Sequence, residues 1–139
     1  MIPKIIHQSH KDKNSISAEE KLYVERLKKL NPEFKYRFWS DKDNYNLIKN
    51  HYSWFLPTYE SYKWPVQKAD ACRYFYMHRY GGVYLDLDME CVRPIRELIA
   101  NLNTGKTKAI DSFNCSKGLK LFEEYPNAFL GQSAIFNGF

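Results

Sequence analysis

Asp86 and Asp88 stand two residues apart behind Gly81-Gly82-Val83-Tyr84-Leu85, and carboxylates at that spacing can hold a divalent cation. The glycine pair reads as a helix stop, and a short apolar strand is predicted after it over Val83–Asp88. Residues two apart on a strand project from one face, with Cα atoms roughly 7 Å apart. Carboxylates converging there repel unless a cation sits between or beside them. Oxygen-only donors suit Mg²⁺ or Mn²⁺, ions that keep positions open for water and substrate phosphate. The pair reads as a metal-diphosphate site at a strand end.

Asp70 and Arg73 lie three apart on the preceding helical stretch, hence on one face. Two readings are open. One is an intrahelical ion pair worth ~0.3 kcal/mol; the other is a pair that hydrogen-bonds sugar hydroxyls or a phosphate.

The elements that must position these groups are set by periodicity. Ile2 to Gln8 is apolar and β-branched, a buried strand. Ser17-x-x-Glu20 is a capping box, followed by Tyr23, Leu27 and Leu30 at helical spacing and ended by Asn31-Pro32. Lys35 to Trp39 alternates as a half-buried strand does. Ser40 or Asp41 caps a helix to about His51. Ser53 to Pro65 reads as loop with at most short helical turns. Gln67 to Tyr80 is the strongest helix, predicted to be buried on several sides, with Gly81 as its C′ residue. Pro94 opens a short helix through Leu98. A turn at Asn101–Gly105, a strand at Lys108–Ile110, a helix at Leu119–Glu124 and a strand and turn over Asn127–Phe139 complete the pattern. Strands alternating with helices predict an α/β layer structure with a largely parallel sheet.

A chain of 139 residues suggests one domain, and 44% hydrophobic residues exclude disorder. The formal charge of +5 suits nucleotide phosphates or an acidic membrane face, and equally an ordinary basic protein. No basic run suggests a nucleic-acid partner. Cys72, Cys91 and Cys115 are odd in number and lack CxxC spacing, which argues for reduced structural thiols. The four histidines form no zinc pattern. No run of ~20 apolar residues spans a membrane, and the N-terminus lacks a signal-peptide core; a cytoplasmic location is the default expectation.

Ala69-Asp70-Ala71-Cys72-Arg73 through Gly81-Gly82-Val83-Tyr84-Leu85-Asp86-Leu87-Asp88 resembles the A/S-D-x-x-R…Y-G-G-x-Y-x-D-x-D signature of glycosyltransferases with a DXD sugar-binding region. That family includes initiating α-1,6-mannosyltransferases, inositol-phosphoceramide mannosyltransferases and, more distantly, large glucosylating toxins. Ile2-Pro3-Lys4-Ile5-Ile6-His7-Gln8 resembles its opening strand and Tyr36-Arg37-Phe38-Trp39-Ser40-Asp41 its second. Asn127-Ala128-Phe129 resembles a later N-x-F/M segment. Ser9-His10 departs from the pattern, where Trp is usual.

The resemblance implies a GT-A (Rossmann-like) nucleotide-sugar-binding fold, mostly parallel and flanked by helices. It implies Mn²⁺ or Mg²⁺, retention of configuration, a donor such as GDP-mannose or a UDP-hexose with mannose favoured, and a glycan, glycolipid or protein acceptor. By position, Asp88 would ligate the metal and Asp86 would contact ribose and metal, the two acting as catalytic groups. Asp70 and Arg73 would hold the sugar hydroxyls and phosphate region. Ile6, His7 and Gln8 would lie along the nucleotide base, through their backbone. Tyr84 would line the pocket or pack in the core. A single domain over 1–139 is expected to lack part of the usual C-terminal half, with Ser133 or Asn137 as candidates to complete the site. Relatives in eukaryotes are expected to be Golgi-membrane associated. The alternative is a catalytically incomplete nucleotide-sugar or carbohydrate-binding remnant.

Three rivals are weaker. A haloacid-dehalogenase-type phosphatase carries Thr or Val two places after its second Asp, where Glu90 stands. An EF-hand loop running from Asp86 to Glu97 needs Gly where Cys91 stands. A carbohydrate-binding module could draw on 17% aromatic residues, but these mostly fill core and surface.

Overall fold

The computed structural model describes residues 2–103, 129–130 and 133–136. The expectations for Lys108–Ile110, Leu119–Glu124, Asn127-Ala128 and Asn137 lie outside them, as does Cys115.

The described elements run β1 (Ile5–Ser9), α1 (Ala18–Leu30), β2 (Lys35–Trp39), α2 (Asp41–His51), a 3-10 turn (Ser53–Phe55), α3 (Leu56–Ser61), α4 (Pro65–Tyr80), β3 (Gly82–Leu85), α5 (Ile95–Asn103), β4 (Phe129–Leu130) and β5 (Ser133–Phe136). The sheet order is β2-β1-β3-β5-β4. β1 is parallel to both β2 and β3, while β5 and β4 add an antiparallel edge. The result is an α/β fold whose parallel part is three strands. The chain leaves β1 toward β2 and then crosses back to the other side of β1. Such a reversal opens a crevice beyond the carboxyl ends of the two strands that flank it, here β1 and β3.

Local chemistry sets most element ends. At α1, Ser17 Oγ accepts from Glu20 N–H at 3.1 Å, and Glu20 Oε2 accepts from Ser17 N–H at 2.8 Å. Ser40 and Asp43 make the same reciprocal pair at α2, with 3.2 and 2.9 Å bonds. α4 starts at Pro65, earlier than the periodicity suggested, because proline is well suited to a first helical turn. It is also buried on one face only, through Cys72, Tyr76 and Met77; Tyr74 is 61% exposed. The prediction of burial on several sides fails because α4 packs over one side of the sheet. α5 runs on to Asn103, so the turn predicted from Asn101 is helix.

Side chains alternate across the sheet, as strand geometry requires. Ile6, Val83 and Leu85 pack with Leu27 and Ile95 on one side. Trp39 and Tyr84 pack with Ile48, Cys72 and Tyr76 on the other. Cys72 and Cys91 are buried free thiols. Asn31, at the end of α1, ties the first layer together: its Nδ2 donates to Leu27 O at 2.8 Å and its Oδ1 accepts from Ile95 N–H at 2.6 Å. The residue is 1% exposed. Asn31→Ala orphans the first amide of α5, and a loss of about 2–3 kcal/mol in urea unfolding is expected. A loss within experimental error would show that water replaces the side chain.

Candidate donor and metal site

β3 ends at Leu85, short of the predicted Asp88, so both aspartates lie on the turn beyond it. The reason is where the Asp86 carbonyl goes. It accepts from Met89 N–H at 3.2 Å, closing the turn, and from Gln8 Nε2 at 3.2 Å. The ladder to β1 pairs only Ile6 with Val83 and His7 with Tyr84. One residue further along β1, a Gln8 side chain takes the place of a strand partner. The strand expectation of a shared face therefore does not apply to Asp86 and Asp88, although both stand at the carboxyl end of β3.

Asp86 is the hub of the polar cluster. Tyr84 Oη donates to its Oδ1 at 2.7 Å. Arg73 Nη2 reaches the same Oδ1 at 3.3 Å and Asp70 Oδ1 at 3.0 Å. The Arg73 guanidinium lies 4.8 Å from the centre of the Tyr84 ring. The sequence left an ion pair and a ligand-binding pair open for Asp70 and Arg73. The structure contains the ion pair and extends it to Asp86. Arg73 Nε is buried and has no hydrogen-bond partner among the described residues.

Electrostatics follow from burial and charge. Burial raises the Asp86 carboxyl pKa; Tyr84 and Arg73 oppose that, while Asp88 and Asp70 add to it. Burial works against the Arg73 cation, yet Tyr84, Asp86 and Asp70 together raise its pKa. Two carboxylates, Asp70 and Asp86, thus flank one arginine at a sheet end, and Asp88 adds a like charge near Asp86 that a further cation would offset. Among the described residues no group of three or more His, Cys, Asp or Glu is placed to hold a metal. Asp86 and Asp88 alone fit Mg²⁺ or Mn²⁺, which bind through one or two carboxylates and take their remaining oxygens from water and phosphate. Both side-chain contacts of Asp86 among the described residues use Oδ1.

Tyr84 is 2% exposed and packs near Tyr76, and its hydroxyl serves as the polar handle that holds Asp86. Ile6 and His7 have their side chains in the core, so only their backbone could meet a ligand. His7 Nδ1 accepts from Trp39 Nε1 at 3.0 Å, and its Nε2 lies 2.8 Å from Gly81 O, to which it donates. Burial drives the His7 pKa down to about 4, against the Gly81 carbonyl, which raises it. Folding therefore favours the neutral ring. The unfolded chain takes up this proton below about pH 6.5 and the folded protein only near 4. His7 stabilises fully above pH 6.5 and loses roughly 3 kcal/mol of stability as pH falls toward 4. Urea unfolding between pH 7 and 4.5 should show this slope in the wild type and a flatter one in His7→Gln. Parallel profiles would remove His7 as the cause.

The expectation for Gln8 concerns its backbone; its side chain ties the aspartate turn to β2. Its Oε1 accepts from Tyr36 Oη at 3.0 Å. Burial lifts the Tyr36 pKa to about 12, so the phenol remains a donor. Nothing local in the sequence signals this clamp, because it depends on which strands are neighbours.

Residues 17–105 match the family described as glycosyltransferase sugar-binding region containing DXD motif. A mannosyl phosphorylinositol ceramide synthase of Saccharomyces cerevisiae is 46% identical over 100 residues, covering 72% of this chain and 26% of the relative. Inositol phosphoceramide mannosyltransferase 1 of Schizosaccharomyces pombe is 37% identical, over 71% of this chain and 32% of the relative. An uncharacterized glycosyltransferase of Acanthamoeba polyphaga mimivirus is 36% identical, over 94% of this chain and 50% of the relative. The chain thus spans between about a quarter and a half of the length of these relatives. Among solved structures, the PaToxG glycosyltransferase superposes with a TM-score of 0.53 at 18% identity, over 66% of this chain and 44% of that one. This likeness supports the GT-A-like α/β fold.

Proposed function

Since the chain belongs to the glycosyltransferases with a DXD-containing sugar-binding region, we propose that it moves a hexose, with mannose favoured, from a nucleotide-sugar to a glycan, glycolipid or protein acceptor. The observation that carries this reading is the contact network joining Asp70, Arg73, Tyr84 and Asp86 beside the Asp88 turn. The names of the mannosyltransferase relatives favour mannose and a glycolipid acceptor.

In this reading Asp88 and Asp86 would hold Mn²⁺ or Mg²⁺, whose positive charge would be available to the leaving diphosphate. Asp70 accepts from hydroxyls of the donor hexose, and Arg73 holds the phosphate side. Arg73 already bridges Asp70 and Asp86, so the groups that would grip sugar and diphosphate are aligned before the donor arrives. Tyr84 keeps Asp86 oriented from below. The sugar passes through an oxocarbenium-like state, which needs charge placement more than a strong protein nucleophile. Retention would result if the acceptor hydroxyl attacks from the face the diphosphate leaves, giving its proton to that diphosphate.

A thermal-shift panel of GDP- and UDP-sugars with and without Mn²⁺ tests the reading, because a bound donor stabilises by mass action. A metal-dependent shift with one donor class is expected, together with slow release of free sugar. No shift with any donor would overturn the proposal, and a shift without sugar release would leave donor capture as the function. Asp70→Asn should reduce donor turnover about tenfold or more while changing nucleoside-diphosphate affinity less than about threefold, since one charge-assisted contact to the sugar is lost. Equal losses in both assays would place Asp70 at the nucleotide.

A further inference from the structure

We infer that the exposed aromatic and apolar side chains of the Ser53–Phe55 turn and the outer stripe of α4 seat on an anionic lipid bilayer, with Asp70 on that stripe. Six large hydrophobic residues stand exposed among the described residues, and four fall in this one segment: Trp54 at 74%, Trp64 at 58%, Val66 at 62% and Tyr74 at 61%. Scattered exposed apolar residues mean little, whereas a concentration marks an interaction surface. Three of the four belong to one helix, Trp64 as the N-cap of α4 and Val66 and Tyr74 within it, and the Trp54 ring lies 6.1 Å from Phe75 of the same helix. Val66, Asp70 and Tyr74 are four apart on α4 and share one stripe. The residue that meets the donor on the proposed function is therefore flanked on its own helix by exposed apolar side chains.

The chemistry selects a bilayer over a protein groove. The exposed groups are mainly Trp and Tyr, whose rings favour the boundary between headgroups and acyl chains. Two lysines accompany them in the sequence: Lys63 Nζ sits 5.0 Å over the exposed Trp64 ring, and Lys68 Nζ lies 5.5 Å from the buried Tyr59 ring. Long basic side chains can lay their stems on apolar surface and keep their ammonium groups at the phosphate level. Over residues 52–80 the charges are Lys63, Lys68, Arg73 and Arg79 against Glu60 and Asp70, so the segment is net positive and complements anionic lipid. An acceptor headgroup in that bilayer would meet the donor at Asp70. That meeting rests on the proposed function, whereas the docking itself does not.

The full chain should cosediment with phosphatidylcholine vesicles containing phosphatidylinositol, and far less with phosphatidylcholine alone. Trp54→Ser with Trp64→Ser should lower that partitioning about tenfold or more, with donor-induced thermal shift in solution unchanged. Lys63→Glu with Lys68→Glu, which leaves the apolar groups in place, should weaken it by a similar factor and remove most of its salt sensitivity. Failure of the wild-type chain to sediment, or full sedimentation of both variants, would overturn the inference. So would concentration-dependent dimerisation abolished by the tryptophan substitutions, which would give this face to a second copy. Because vesicle binding is read without donor, its failure is distinct from failure of the donor reading.

Discussion

Asp88→Asn is expected to abolish metal-dependent donor turnover, by about a hundredfold to a thousandfold, and to leave the fold intact. Removing one anionic ligand from a two-carboxylate site weakens cation binding and leaves the diphosphate charge unneutralised, a deficit of several kcal/mol at the transition state. Folding should tolerate the change because Asp88 is exposed on a turn whose backbone is fixed by the Asp86 carbonyl. Circular dichroism and urea unfolding should match the wild type, and the Mn²⁺-dependent part of the donor thermal shift should disappear. Wild-type turnover by Asp88→Asn with Mn²⁺ present would falsify the metal assignment.

Gly82→Ala is expected to have the largest effect on stability, about 3–5 kcal/mol. Gly82 opens β3 at a φ of 100°, a region that side chains with a Cβ rarely adopt. A Cβ placed there would lie 2.4 Å from Ile5 O, a backbone atom of β1, and 3.2 Å from Ile5 C and Cβ. Neither obstacle can rotate away, so the two central strands would have to part. Because β1 carries Gln8 and β3 leads to Asp86, that parting also loosens the aspartate turn. The variant should unfold at much lower urea and lose donor-dependent stabilisation even where it remains folded. A cost below about 1 kcal/mol would mean that the strand contact gives way easily.

What the sequence made legible was local. The Ser17 capping box, the half-buried strand at Lys35–Trp39 and the helix stop at Gly81 each arise within a few residues, and each is present. The gathering of Asp70, Arg73 and Asp86 at one strand end came from helix spacing and the order of elements. Strand order was not legible. That β1 lies between β2 and β3 decides that His7 is sealed beneath Trp39, that Gln8 meets Asp86 and that β3 stops at Leu85. These contacts join residues 32 and 78 positions apart, beyond the reach of periodicity. Of the two caps the sequence offers, Ser40 and Asp41, the structure uses Ser40; its reciprocal partner Asp43 is not legible, because Asp stands where Glu or Gln is usual in such boxes.

The Gln8 bond to the Asp86 carbonyl has a consequence for how the protein acquires its site. The D-x-x-R helix and the D-x-D turn are neighbours in sequence and can form early through short-range contacts. The clamp that fixes the turn spans most of the described chain, and closing so long a loop is a slow, late event in folding. A fragment beginning at Pro65 would carry the whole motif from Asp70 to Asp88 and still lack β1, whose side chain holds the turn in shape. Such a fragment is expected to bind the ion weakly and without discrimination. Competence at this site is acquired with the completed tertiary fold, and the motif alone does not confer it.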